Sequence, residues 1–364
     1  MKISHVISLL ESLAHPALQE GYDNAGLIIG NKDAECQGIL VSLDATEEVI
    51  KEAVLKKCNL IVAHHPIIFS GLKKINGKNY VEKAVIAAIK NDIAIYAIHT
   101  NLDNIAEGVN GRMAKMLGLE DLTVLAGRNS SLKKLVTYVP VDNAEEVRNA
   151  IFAAGAGNIG NYSECSFNAE GTGTFKGDEG TSPYVGEAGT RHYEKEIKIE
   201  TIFPFYLEQK IMTALKDAHP YEEVAYDLLF LSNSSPAIGS GIIGILPQPM
   251  DEINLLTRIK EVFNVPVVRH TELTGRAVER VALCGGAGSF LITNALAAGA
   301  DFYITADIKY HEFFDANNKM VIADIGHYES EQFTINLLQE FLHQKFPNFA
   351  VLKTEVDTNP VQYF

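Results

Sequence analysis

The 364-residue chain has no tryptophan and only four cysteines, Cys36, Cys58, Cys165 and Cys284. Their spacings are wide and irregular, and the lack of any CxxC pair argues against a zinc knuckle or a thioredoxin-type motif. So few thiols in so long a chain fit a reducing compartment, and a cytoplasmic protein is expected. Long apolar runs are missing too. No stretch of 18 apolar residues occurs, so no membrane span is expected, and Glu11 interrupts the N-terminal apolar stretch too early for a signal peptide. Basic residues are in the minority, 31 against 46 acidic ones, for a formal net charge of −15. Such a chain gains no general counterion-release affinity for nucleic acid or an anionic membrane. An anionic ligand would need a local offset, which a bound metal cation supplies.

What is present is ordinary globular composition, 47% apolar and 21% charged, at a length that suggests two or three domains. Strand patterns at 38–44, 59–64 and 93–99 alternate with helical periodicity at 47–58, 80–90 and 105–117. The rhythm returns late in the chain. Strands are expected at 265–268, 280–283, 301–306 and 320–325, and helices at 254–263, 289–298, 310–316 and 329–344. Alternation of this kind predicts an α/β fold with mostly parallel sheets. Between the halves the character changes, with nine glycines from 155 to 189 against 28 in the whole chain. Strand-like stretches at 135–141 and 196–203 and helical ones at 144–154 and 207–218 surround this segment. The reading is a discontinuous two-half α/β core, 1–127 and 237–364, carrying an inserted small α+β domain, 128–236, with a long glycine-rich loop that is functional or disordered.

Three strand ends carry chemistry. Ala63-His64-His65-Pro66 closes one apolar strand. Side chains adjacent on a strand point to opposite faces, so the two histidines converge only if one sits in the turn, which Pro66 favours. His99-Thr100-Asn101-Leu102-Asp103 follows another strand, the end at which open parallel sheets gather ligands. Taken alone, His99 reads as a structural histidine and Asp103 as a helix cap. Gly326-His327-Tyr328-Glu329-Ser330-Glu331 follows a third, and His327 and Glu331 share a helical face. Taken together, imidazoles and carboxylates at these ends suit zinc, manganese or iron. Five ligands exceed what one catalytic zinc uses, and two metals sharing a carboxylate and a water fit the count better.

Other motifs are weaker. Cys284-Gly285-Gly286-Ala287-Gly288-Ser289 lacks a Walker lysine and reads as a tight strand-to-helix turn rather than a phosphate loop. Asp307, Lys309 and His311 follow a strand and could line a polar pocket. His219-Pro220-Tyr221-Glu222-Glu223 reads as a solvated turn, with a substrate-facing edge as the alternative.

The ordered set Tyr22-Asp23-Asn24-Ala25-Gly26-Leu27, Ala63–Pro66, His99–Asp103, Asp307-Ile308-Lys309-Tyr310-His311 and Gly326–Glu331 resembles the NGG-interacting-factor-like family, also labelled GTP cyclohydrolase I type 2 homologue. The resemblance covers both flanks, roughly two-thirds of the chain, with specific motifs. It implies a dinuclear centre of two divalent ions, zinc first, with iron or manganese as alternatives. His64, His65, Asp103, His327 and Glu331 stand at the ligand positions. His99 stands just outside them, placed to orient substrate or move protons. Ala306 departs from the glycine the family often has there, a change that could narrow the neighbouring pocket. Tyr138-Val139-Pro140-Val141, Gly171-Thr172-Gly173-Thr174-Phe175 and His219-Pro220-Tyr221-Glu222 are similar to the ferredoxin-like insert of longer bacterial members, itself similar to trimeric signalling and copper-tolerance proteins. The resemblance further implies a homohexameric ring and a metal-dependent hydrolase of a nucleotide or phosphoester. The alternative is a metal-handling or regulatory protein that binds a small ligand without turnover.

Overall fold

Short, mainly apolar runs need cover on both faces, and three of them centre the first sheet. Ile39–Ser42, Leu60–Ala63 and Ala94–Ala97 are buried throughout and pair in parallel. Val351–Lys353 extends the sheet in parallel beside Ile39–Ser42, and Gly26–Ile29 closes the other edge antiparallel to Ala94–Ala97. Alternation along the strands feeds two cores. Ile39, Val41, Leu60, Val62 and Tyr96 pack with helices Ile3–Leu13 and Thr334–Lys345. Leu40, Ile61, Ala63 and Ile95 pack with helices Glu47–Leu55 and Tyr80–Lys90. These elements come from a computed structural model that describes residues 1–364.

The second sheet runs Arg269–His270, Val321–Asp324, Phe302–Ala306, Ala277–Ala287, Gly239–Asp251, Glu120–Gly127. Only Ala277–Ala287, Phe302–Ala306 and Val321–Asp324 are mutually parallel. The other pairings are antiparallel, so this sheet is mixed. Glu120–Gly127 and Gly239–Asp251 are the chain's exit to and return from residues 128–236, and an exit-and-return pair needs no crossover helix. The expected strand at 265–268 is absent, because Pro266 has no N–H for a ladder; pairing begins only at Arg269. The expected helix at 329–344 is two helices, His327–Glu331 and Thr334–Lys345. Phe333, between them, turns its ring to 6.2 Å from that of Phe263.

The chain divides into two compact units, Met1–Gly127 with Ala237–Phe364, and Arg128–Pro236. In the second, Leu132–Pro140, helix Ala144–Ala153, Phe167–Phe175, His192–Pro204, helix Glu208–Ala218 and Tyr226–Phe230 follow in chain order. The sheet places Phe167–Phe175 next to His192–Pro204, then Leu132–Pro140, then Tyr226–Phe230, all antiparallel. A β-α-β-β-α-β order is the ferredoxin-like one. Leu135, Val139, Val147, Ile151, Ile199 and Phe203 lie in its core. The glycine-rich segment is not a structureless loop, since Phe167–Phe175 lies within it in unbroken register with the strand His192–Pro204, from Phe167 opposite Glu200 to Phe175 opposite His192. No helix in the chain is long and apolar enough to cross a membrane.

Candidate metal centre

Strand ends of the two sheets of the first unit supply the site. His64 and His65 follow Leu60–Ala63 and His99 follows Ala94–Ala97, while Asp103 ends the one-turn helix Thr100–Asp103. His327 and Glu331 begin and end the five-residue helix after Val321–Asp324, which starts at Gly326 with φ +93°.

Each of the four imidazoles is held through Nδ1 by an oxygen. His64 Nδ1 donates to the Ile98 carbonyl at 2.8 Å. His65 Nδ1 meets Asp44 Oδ1 at 2.9 Å, His99 Nδ1 meets Asp23 Oδ1 at 2.8 Å, and His327 Nδ1 meets Asp307 Oδ2 at 2.7 Å. An acceptor at Nδ1 fixes the ring and leaves Nε2 pointing away from it, the arrangement found behind metal-bound histidines. Asp23 and Asp307 stand in motifs that the sequence alone marks, without revealing this role, and Asp44 stands in none. The one signal for Asp44 was an acid two residues beyond a fully buried strand. Asp307 holds φ +57°, a backbone conformation that aspartate tolerates better than most residues.

The Nε2 atoms and carboxylates converge. His64 Nε2 lies 3.6 Å from Asp103 Oδ1 and 3.8 Å from Glu331 Oε1. His65 Nε2 and His327 Nε2 lie 2.9 and 3.1 Å from Glu331 Oε2. Glu331 therefore turns one oxygen to His64 and the other to His65 and His327. Donor atoms of His65, His327 and Glu331 fall within 4.8 Å of one another, as do ring nitrogens of His64, His65 and His99. His64 Nε2 and Asp103 Oδ1 are buried with no hydrogen-bond partner. A buried polar group without a partner is costly. With Nδ1 protonated toward Ile98, His64 Nε2 carries a lone pair facing a carboxylate oxygen. A cation at about 2.0–2.2 Å from each satisfies both. The donor set thus fits a divalent ion.

Electrostatics agree with a cation-shaped place. Burial and the nearby Glu331 push Asp103 up to about 7. Burial also opposes charge on Glu331, yet the rings of His327, His64 and His65 hold it well below the usual carboxylate range. Burial alone would lower His65 and His327. Asp44 and Glu331 outweigh it at His65, which rises to about 10, and Asp307 and Glu331 do so at His327, which rises to about 11. Protons on these rings stand where positive charge is wanted.

Glycine makes the room. Gly286 has φ +64°, and a Cβ there would lie 2.3 Å from Glu331 Oε1. Gly285 and Gly286 belong to the strand Ala277–Ala287, so the glycine run is neither a tight turn nor a phosphate loop. Of the Asp307–His311 stretch only Asp307 joins the site; Lys309 and His311 are exposed. Ala306 does not line the adjoining cavity, which measures about 910 Å³. Tyr22, Phe69, Tyr80 and Phe290 line that cavity while more than half exposed. Glu20, Asp44, Asp103 and Glu331 line it as well, and no lysine or arginine does.

A family model described as Duf34/NIF3 (NGG1p interacting factor 3) matches residues 1–360. A protein of Halalkalibacterium halodurans named GTP cyclohydrolase 1 type 2 homolog is 40% identical over 371 aligned residues, covering 100% of both chains. A Bacillus subtilis protein of the same name is 37% identical, covering 98% of this chain and 97% of its own. Among solved structures, a Bacillus cereus protein related to NIF3 superposes with a TM-score of 0.87 at 40% identity, over 100% of this chain and 99% of that one.

Proposed function

Since the chain belongs to the Duf34/NIF3 family, we propose that it is a two-metal hydrolase that opens a heteroaromatic ring of the purine-nucleotide type. His64, His65, Asp103, His327 and Glu331 hold two divalent ions, zinc by preference, with iron or manganese as alternatives. The observation that carries this reading is the pair of buried, partnerless atoms His64 Nε2 and Asp103 Oδ1, 3.6 Å apart. The divided carboxylate of Glu331 supports a second ion, because its Oε2 faces His65 and His327. The cyclohydrolase name of the relatives points to ring opening by water.

Bound divalent ions supply Lewis acidity and bring the pKa of a coordinated water toward neutrality. The chain's own groups do the rest. Asp44, Asp307 and the Ile98 carbonyl keep three rings in the ligating tautomer. His99, clamped by Asp23 and lining the cavity, keeps its other nitrogen for moving a proton to or from the substrate. Tyr22, Phe69, Tyr80 and Phe290 offer faces for stacking a base. No lysine or arginine lies on the wall to hold a phosphate tail.

The test is metal content of protein purified without added metal, followed by turnover of GTP and guanosine. About two ions per chain with loss of the ring chromophore, both abolished in His64→Ala, support the reading. Two tightly held ions without turnover would instead favour a metal-handling or regulatory role. The family pattern also leads us to propose a homohexameric ring, which light scattering of the full chain tests directly.

A further inference from the structure

The metal centre leaves unused the stretches at 138–141, 171–175 and 219–222, and within the unit Arg128–Pro236 these meet around a cavity of about 740 Å³. His219 is buried rather than solvated. Its Nε2 donates to the Tyr138 carbonyl at 3.0 Å and its Nδ1 accepts from the Tyr221 N–H at 3.1 Å. These two bonds fix a neutral tautomer and brace the turn that presents Tyr221. The Tyr221 hydroxyl donates to Glu196 Oε1 at 2.9 Å.

Glu196 is the centre of the arrangement. It is 8% exposed and lines the cavity. No lysine or arginine pairs with it: Lys198, its neighbour on the same strand face, is bonded to Glu200 Oε1 at 2.5 Å. A buried carboxylate balanced by one hydroxyl is costly to keep. The fold nevertheless makes space for it, since a Cβ on Gly173 would lie 2.1 Å from Glu196 Oε2. Aromatic rings surround it. Tyr221 lies 5.8 Å from Phe175 and 6.3 Å from Tyr184, centroid to centroid. The charged wall residues are Glu170, Asp178, Glu196, Glu222 and Glu223 against Lys176 and Lys198, an excess of three negative charges. No group of three metal-ligand side chains lies at this cavity, so an organic cation fits better than a metal ion.

We infer that this cavity is a second ligand site, separate from the metal centre, for a small flat organic cation of the amidinium or guanidinium type. Its N–H groups pair with the Glu196 carboxylate, a charge-assisted and potentially two-pronged contact. Its skeleton lies against the Tyr184 and Tyr221 rings, which attract cations through their faces.

The experiment is calorimetric titration of the full-length protein with benzamidinium, using benzamide as the uncharged control. One saturable site per chain in the millimolar range or tighter is expected, with benzamide much weaker. Glu196→Gln weakens benzamidinium about tenfold or more, the effect of losing a charge-assisted hydrogen bond. Tyr184 is 54% exposed, so Tyr184→Ala folds normally, and it weakens binding about threefold or more. His64→Ala binds benzamidinium like the parent, which separates this site from the metal centre. The inference is overturned by the absence of saturable binding, by benzamide binding as tightly, by parental affinity in Tyr184→Ala, or by loss of binding in His64→Ala.

Discussion

Oδ1 of Asp103 lies 3.6 Å from Nε2 of His64, and both atoms are buried without a hydrogen-bond partner. In the metal-free chain this pair opposes folding, so replacing its acid should separate stability from function. Asp103→Asn is expected to hold less than half of the parent's metal. Its metal-free melting temperature should be equal to or higher than the parent's, because a buried, partnerless carboxylate has been removed. Elemental analysis and differential scanning calorimetry read the two quantities. A clear loss of metal-free stability would mean that Asp103 braces the fold.

Protons and metal compete for the same donors. His65 and His327 are pushed up to about 10 and about 11 from 6.5. A raised imidazole pKa stabilises the folded metal-free chain fully below about 6.5, and that contribution is lost as pH rises through 10 to 11. At pH 7.5 both rings carry protons that an ion must displace. Calorimetric metal titrations in buffers of different ionisation enthalpy should therefore show proton release, and affinity should fall as pH is lowered. Equal heats in all buffers would refute the protonated resting state.

On the proposed reading, Asp44 and Asp307 act on the metal through the rings they hold. Asp44→Asn and Asp307→Asn are each expected to weaken metal binding about 10–100-fold, the usual cost of removing the carboxylate behind a ligating histidine. Competition with a chelating dye measures this. An unchanged affinity in both variants would leave the carboxylates with no part in the centre.

These partners mark the limit of what the sequence discloses. His64, His65, His99 and Asp103 were legible because each follows a short, wholly apolar run, and strand ends collect polar groups in a parallel sheet. His327 and Glu331 were legible from their four-residue spacing. The contacts behind the rings were not: Asp44 is 21 residues from His65 and Asp23 is 76 from His99, and no local pattern encodes such distances. The mixed second sheet was hidden because antiparallel and parallel strands share one apolar pattern, and Pro266 delayed to Arg269 a strand that hydropathy started four residues earlier. The strand Phe167–Phe175 was hidden by its glycines and its exposed faces.

Gly286 is a sharp test of how closely the second sheet approaches the centre. Its φ of +64° disfavours any side chain, and an alanine Cβ would press within 2.3 Å of Glu331 Oε1. Gly286→Ala is expected to cost about 1–3 kcal/mol of stability from the backbone alone. It should also lower metal occupancy by displacing the carboxylate shared by three histidines. Metal occupancy equal to the parent's would show that Glu331 has room to move.

Asp23 separates proton handling from metal binding. Its Oδ1 holds His99 Nδ1, while Oδ2 accepts from the Thr100 N–H at 3.1 Å and from the Thr100 hydroxyl. Burial opposes its charge, yet His99 and Thr100 bring it down to about 2 from 3.8. A depressed carboxylate stabilises the fold above about 3.8 and loses that effect as pH falls through 2, so Asp23 stays ionised at any working pH. Asp23→Asn keeps the shape but removes the carboxylate that orients the His99 ring through Nδ1. Metal content should stay at the parent's value. Turnover of a purine-nucleotide substrate should fall about 100-fold, the lower end of the range of general acid–base catalysis. If turnover is unchanged, or if the metal is lost with the activity, His99 is not the proton carrier.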